Sequence, residues 1–274
     1  MTEEVAKRLE ALNKKLQNFL DNPWIMRTKP FHVVGDVYFV GNNYVSSFLI
    51  ASEEGLILID TAFAESAYLL FDGIRALGFN PADIRCLFLS HGHFDHCGAA
   101  RLIHEYSGCE IFLGKEDHMF FTERPDLILF ENHVPRFTIH RAYDYDKPMD
   151  FGNVVITPVH TPGHTPGTTS FFIETRHGGK IVICAMHGGL GLNGLSKDEL
   201  RDNRLPESLQ QEYLDSLLAL QKKKVDVVLA SHAHQYNMLE RAALDDGSGE
   251  VFLDKENGWY KMLDKNIESI REMM

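Results

Sequence analysis

Residues 84–96 read Ile-Arg-Cys-Leu-Phe-Leu-Ser-His-Gly-His-Phe-Asp-His, a largely apolar run that stops at Leu89 and is followed at once by three imidazoles and a carboxylate. A short apolar run bounded by turn residues is the pattern of a buried strand. The irregular turn after such a strand can aim several side chains at one point. Neutral imidazole and carboxylate are the ligands zinc takes outside thiolate sites, and a catalytic arrangement keeps a position open for water. Four potential ligands, His91, His93, Asp95 and His96, within six residues therefore point to a metal site. A solvated histidine-rich turn would not need a buried strand in front of it.

Two later stretches repeat the arrangement. Thr161-Pro162-Gly163-His164-Thr165-Pro166-Gly167 follows another apolar run, and its two Pro-Gly pairs fix the backbone that presents His164. Ser231-His232-Ala233-His234 follows the apolar run 225–230. One of its two histidines is expected to complete the site, and His232 is nearer the strand end.

The rest of the chain supplies a scaffold of alternating elements. Residues 2–20 place Val5, Leu9, Leu12, Leu16, Phe19 and Leu20 at steps of three and four, an amphipathic helix ended by Asp21-Asn22-Pro23. Runs at 37–40, 44–50 and 56–59 predict an antiparallel meander. A helix over 64–77 stops at Gly78 and leads into the strand 84–89; a helix over 98–106 and a strand at 110–113 follow. Residues 122–150 are expected to form a loop region over a site. Strands at 154–158, 168–174 and 180–184, a helix over 206–221, the strand 225–230 and a charged helix from about 255 complete the chain. This order predicts two sheets packed face to face with helices outside. The expected division is an N-terminal helix and linker at 1–30 and one domain at 31–274, with internal halves at about 31–150 and 151–274.

Composition narrows the function. A chain of 274 residues with 44% apolar composition can bury a substantial core. Its apolar runs fall short of the about 20 residues that cross a bilayer, so no membrane partner is expected. The first 20 residues carry acids and bases throughout, with no apolar signal region, which predicts a cytoplasmic protein. Cysteines 86, 97, 109 and 184 lack the spacing of a disulfide framework and read as thiols. A formal charge of −12 repels phosphate backbones and argues against nucleic acid. The expected partner is a small-molecule substrate, with a homo-oligomer left open.

Taken in order, HxHxDH, TPGHTPG and a late strand-end histidine resemble the metallo-β-lactamase superfamily over residues from about 32 to 240. The stretches GNNYVSSFLI, LILIDTAF, IRALGF, SHGHFDHCGA and HTPGHTPGTTSF are most similar to the third subclass of metallo-β-lactamases. The resemblance implies an α/β fold, a four-layer αββα sandwich of two mixed β-sheets. It implies one or two zinc ions, the first on His91, His93 and His164 and the second on Asp95, His96 and His232. Asp60 resembles the superfamily's first motif, where a carboxylate orients a ligating histidine through its other nitrogen; a turn or N-cap aspartate is the alternative. In other branches a Gly-Asp pair ends the strand corresponding to 180–184 and bridges the metals. Here that strand runs into Ala185-Met186-His187-Gly188-Gly189, and the subclass's own Asp-Ser pair is missing too. His187 is thus a candidate for contact with the second metal or the substrate, or a plain loop histidine. Of the remaining histidines, His133 and His160 are the candidates for lining a pocket or supporting a ligand.

The activity this implies is zinc-dependent hydrolysis, a metal-bound hydroxide cleaving an amide, lactam, lactone or thioester in a β-lactamase-like reaction. Asp95 is the expected catalytic group, orienting the nucleophile and passing a proton to the leaving group. A Tyr or His of residues 122–150 is the expected oxyanion donor. An iron-binding redox protein on the same scaffold would carry an acidic residue in the first histidine motif and the bridging aspartate, both absent here. A non-catalytic binding protein would lack ligands, whereas all six are assigned.

Overall fold

Strands that are apolar on both faces need cover on both faces, and that requirement sets the layers. The structure, a computed structural model, describes residues 3–274, with side chains from residue 10 onward. Residue 2 and the side chains of Val5 and Leu9, part of the expected amphipathic helix, lie outside the described residues. The first sheet holds, in spatial and chain order, β1 (Phe31–Val34), β2 (Val37–Phe39), β3 (Phe48–Ser52), β4 (Gly55–Ile59), β5 (Ile84–Phe88), β6 (Glu110–Leu113) and β7 (Arg141–Ala142). Its pairings are antiparallel from β1 to β4 and parallel from β4 to β7. The second sheet contains β8 (Met149–Asp150), β9 (Val155–His160), β10 (Thr169–His177), β11 (Lys180–Met186) and β12 (Val227–Leu229). These lie in the order β12-β11-β10-β9-β8, with only β11 and β12 parallel.

The helices are α1 (Glu3–Asp21), α2 (Ala67–Ala76), α3 (Phe94–Cys97), α4 (Ala100–Ser107), α5 (Met119–Thr122), α6 (Lys197–Asp202), α7 (Ser208–Leu220), α8 (Met238–Leu244) and α9 (Gly258–Met273). Alternation along β3 and β4 divides the core. Phe48, Ile50, Ile57 and Ile59 pack between the sheets with Ile156, Phe171 and Ile173. Leu49, Leu56 and Leu58 face the other way, into a second cluster with Leu16 and Leu20 of α1 and Leu69, Leu70 and Ile74 of α2. Across the sheet interface Phe88 stacks on Phe171, their ring centroids 6.0 Å apart. On the far side Phe172 meets Trp259 of α9 edge-on at 6.1 Å. Each fully buried side chain of this size contributes about 1.5–3 kcal/mol. The result is the four-layer αββα sandwich of two mixed sheets that the resemblance implies.

Several elements differ from the pattern reading. Residues 44–47 form a loop, because the Asn42 side-chain oxygen accepts hydrogen bonds from the backbone N–H groups of Tyr44 (2.9 Å) and Val45 (2.8 Å). That turn competes with a strand ladder. The loop is tied instead to the segment after β12 through Ser46 N–H to the Ser231 carbonyl, 2.9 Å. Residues 31–34 add a first strand, α4 stands where a helix over 98–106 is expected, and the short helix α3 is added before it within the histidine motif. Within 122–150 the chain gives an edge strand to each sheet, β7 and β8. All four cysteines are free thiols. Among the described residues, no helix is long and apolar enough to cross a membrane.

Candidate metal centre

The parallel strands of the first sheet end along one edge, and the chemistry starts there. After β4, Asp60 and Ala62 both take left-handed backbone, each at φ 57°. Such backbone is costly for residues other than glycine and persists only where neighbours hold it. Here Thr61 N–H donates to the His96 carbonyl (2.8 Å), and the Thr61 hydroxyl accepts from Ala99 N–H (3.1 Å). Asp60 is fully buried beneath the turn that follows β5. Its Oδ1 accepts from Ser90 N–H (2.7 Å), and its Oδ2 accepts from the Ser90 hydroxyl (2.8 Å) and from His96 Nδ1 (2.8 Å).

These bonds set the histidine tautomers. The Ser90 hydroxyl gives its proton to Asp60, so it accepts from His91 Nδ1 at 3.0 Å. His91 Nε2 is then a lone pair, and it is buried without a hydrogen-bond partner. His96 donates through Nδ1, which likewise leaves Nε2 as its lone pair. His232 donates through Nδ1 to the Tyr44 carbonyl, 3.0 Å away, and turns Nε2 inward. The expectation that a carboxylate at Asp60 orients a histidine through its other nitrogen matches this contact with His96.

Two groups result. His91, His93 and His164 form one, and Asp95, His96 and His232 the other; within each, the potential ligand atoms lie within 4.8 Å of one another. In the first, ring centroids are 4.7–4.9 Å apart. In the second, Asp95 Oδ2 lies 3.8 Å from Nε2 of His96 and 3.8 Å from Nε2 of His232. The groups adjoin where the His91 and His96 rings approach to 4.2 Å. Burial lowers the pKa of His93 to about 3 and of His164 and His232 to about 4, so these imidazoles are neutral near pH 7. Burial opposes the charge on His96, yet Asp95 and Asp60 together hold its pKa above the ordinary value. Burial also opposes the Asp95 charge, but the surrounding histidines, His96 first, keep its carboxyl below the usual range.

The donor set fits a metal pair. Imidazoles and one carboxylate converge, and His91 Nε2 and His164 Nδ1 are buried with no hydrogen-bond partner. Buried polar atoms are normally satisfied, so orphaned lone pairs at such a focus point to an ion.

A further carboxylate escaped the sequence reading. Asp117, fully buried, accepts from Gly92 N–H (2.9 Å), the Thr165 hydroxyl (2.8 Å) and Gly167 N–H (2.6 Å). It thereby pins the turn carrying His91–His96 to the loop carrying His164, from opposite sheets. Burial raises its pKa to about 6 despite those three donors. Its sequence signal is a carboxylate four residues past the end of the next parallel strand, β6.

Other candidates fall elsewhere. His187 is buried at the end of β11, its Nδ1 accepting from Gly189 N–H at 3.1 Å; it belongs to neither group and does not line the cleft. Met186 lies in the core. His133 pairs with Glu65 at 2.6 Å, and His160 stacks on Tyr145 at 4.6 Å; neither lines the cleft. His234 lies outside both groups. The cleft, about 420 Å³, is floored by His93, Asp95, His96, His164 and His232. Residues 122–150 supply Asp126, Leu127 and Leu129 to its wall but neither Tyr nor His, so the expected oxyanion donor is not found there. Tyr44 is the phenol that lines it.

The wider comparisons agree with this architecture. A mutant of the metallo-β-lactamase FEZ-1 from Legionella gormanii is 25% identical, with 90% of this chain and 95% of that one covered and a TM-score of 0.82. The metallo-β-lactamase GOB-18 from Elizabethkingia meningoseptica is 26% identical, with 92% and 94% covered and a TM-score of 0.79. The class B3 di-zinc metallo-β-lactamase LRA-12 from an Alaskan soil metagenome shares the fold at 24% identity, with 91% and 96% covered and a TM-score of 0.79. Structural likeness is therefore to the third subclass, as the sequence motifs imply. A family model described as the metallo-beta-lactamase superfamily matches residues 40–232, a span that runs through both ligand groups, and the chain belongs to that superfamily.

Proposed function

We propose that the protein is a zinc-dependent hydrolase that cleaves an acyl bond of a small molecule: an amide, lactam, lactone or thioester. The observation that supports this most directly is the convergence of six ligand side chains in two adjoining groups, with unpartnered buried imidazole nitrogens, on the floor of a cleft. His91, His93 and His164 would hold one ion, and Asp95, His96 and His232 a second. Zinc held there supplies a nucleophile at neutral pH by acidifying water and polarises an acyl oxygen.

The chain's own groups do the rest. Asp95, kept ionised by its histidine neighbours, would orient the attacking water through its carboxylate, take up the proton that water loses as it adds to the acyl carbon, and pass that proton to the leaving group. Asp60, directly and through Ser90, orients the His96 and His91 rings, and the Tyr44 carbonyl orients His232, so that in their neutral forms these three turn an Nε2 lone pair inward. Tyr44 keeps its proton, its pKa pushed up to about 12 by burial and then by Asp95, and as a phenol lining the cleft it would supply the donor that steadies an oxyanion.

Elemental analysis of the purified protein, run beside hydrolysis of a chromogenic cephalosporin, a lactone and a thioester, tests this reading. Zinc bound with turnover of at least one substrate supports it, and bound iron without turnover overturns it. His93→Ala and Asp95→Asn should each abolish hydrolysis while circular dichroism stays unchanged; unaltered turnover in either would remove these residues from the chemistry.

A further inference from the structure

The cleft wall has a composition of its own. Leu12 and Leu16 of α1, Phe120 of α5, Leu127, Leu200 of α6 and Leu209 of α7 surround the space above the ligand groups. Among the described residues that line it, none is lysine or arginine; beyond Asp95, its charged side chains are Asp126 and Glu199. The nearest cations are committed elsewhere. Arg124 grips both oxygens of Asp126 and the Asn203 carbonyl, and Lys15 lies over the Tyr44 ring, 4.7 Å from its centroid. Glu199 accepts from the backbone N–H and hydroxyl of Ser196. A carboxylate entering this space would meet apolar side chains and the Glu199 carboxylate, with Asp126 already held by Arg124, in a protein of net charge −12. An uncharged apolar chain would pack against the leucines and Phe120 of a space that Asn13, Asn193 and Asn203 also line, and about 420 Å³ lies within the range of small-molecule sites.

Building on the hydrolase reading, we infer that the substrate is a neutral acyl compound with an apolar arm, and that compounds carrying a free carboxylate are discriminated against. Water adds to the acyl carbon, the acyl bond to the leaving heteroatom breaks, and a carboxylic acid and the protonated leaving group depart.

The test compares three p-nitrophenyl esters on the zinc-loaded protein: butanoate, octanoate and the half-ester of suberic acid, which matches octanoate in length but ends in a carboxylate. Octanoate is expected to exceed butanoate in kcat/KM by roughly two- to fourfold per added methylene, and to exceed the suberate half-ester by roughly tenfold or more. Leu127→Lys, which places a cation in the wall, should narrow the second ratio. Equal turnover of octanoate and the suberate half-ester would overturn the inference and leave the hydrolase reading standing. Calorimetry on metal-free protein separates the two claims, because no ion is present to capture a carboxylate. Binding of octanamide but not octanoate supports the cleft preference even if neither the esters nor the cephalosporin, lactone and thioester are hydrolysed, an outcome that would sink the hydrolase reading alone. Failure of octanamide to bind, with none of these substrates turned over, would sink both.

Discussion

At the residue scale, the site depends on a few buried carboxylates whose partners are all specified. Asp60 fixes the His96 ring and, through Ser90, the His91 ring. Asp60→Asn replaces one acceptor oxygen with a donor and is expected to weaken zinc binding by roughly 10- to 100-fold, read by competition with a chromophoric chelator; unchanged affinity would dissociate Asp60 from ligand orientation. Asp117 makes a pH-dependent prediction. Its folded pKa, about 6, lies above the ordinary 3.8, so the carboxyl stabilises the fold when protonated and that contribution is lost as the pH rises through about 6. Between about pH 4.5 and about pH 7 the loss is roughly 2 kcal/mol. The stability difference between wild type and Asp117→Asn, from urea midpoints of metal-free protein, should shift against wild type by that amount; parallel pH curves would contradict it. The six candidate ligands were legible because histidines and an aspartate crowd strand ends at motif spacing. Asp117 was not, since Lys115-Glu116-Asp117-His118 reads as an ordinary charged turn until the fold brings Gly92 and Gly167 against it.

At the element scale, apolar periodicity found most strands and helices, and local side-chain chemistry explains where it failed. The run at 44–50 has strand composition, but Asn42 diverts its first residues into a turn, and that diversion carries the Tyr44 carbonyl to His232. The amphipathic pattern of the N-terminal helix does not say what its apolar face covers; Leu12, Asn13 and Leu16 line the cleft, so α1 forms part of its wall. The His164 loop shows how closely elements must meet. Gly163 sits at φ 144°, and a side chain there would collide with Tyr213 of α7. Gly163→Ala forces either a strained backbone, at about 1–3 kcal/mol, or withdrawal of the loop from α7. Withdrawal takes His164 out of the first group, so the variant is expected to lose stability and to bind zinc more weakly at the first site than the second. Cobalt substitution, reading the spectrum of each site, checks this, and two intact sites would show that the loop tolerates the shift.

At the scale of the whole molecule, both ligand groups join the two sheets. His91 and His93 follow β5 of the first sheet, whereas His164 lies between β9 and β10 of the second. Asp95 and His96 belong to the first-sheet turn, and His232 follows β12 of the second. Four-layer packing was legible because two strand-rich halves with external helices leave few other arrangements, but which histidines meet across the interface is a property of the assembled sandwich. An ion bound by either group would cross-link the halves, and binding confined to the folded state stabilises by mass action. Zinc at about one hundred times its dissociation constant adds roughly 2.7 kcal/mol per site, which for a domain of this size raises Tm by about 5–10 °C. Zinc should therefore raise the melting temperature and a chelator lower it. His164→Ala and His232→Ala should each remove part of the gain, and the double variant should remove nearly all of it. A melting temperature indifferent to zinc and chelator would mean that no ion bridges the sheets, and a gain untouched by both substitutions would place the ion at other residues.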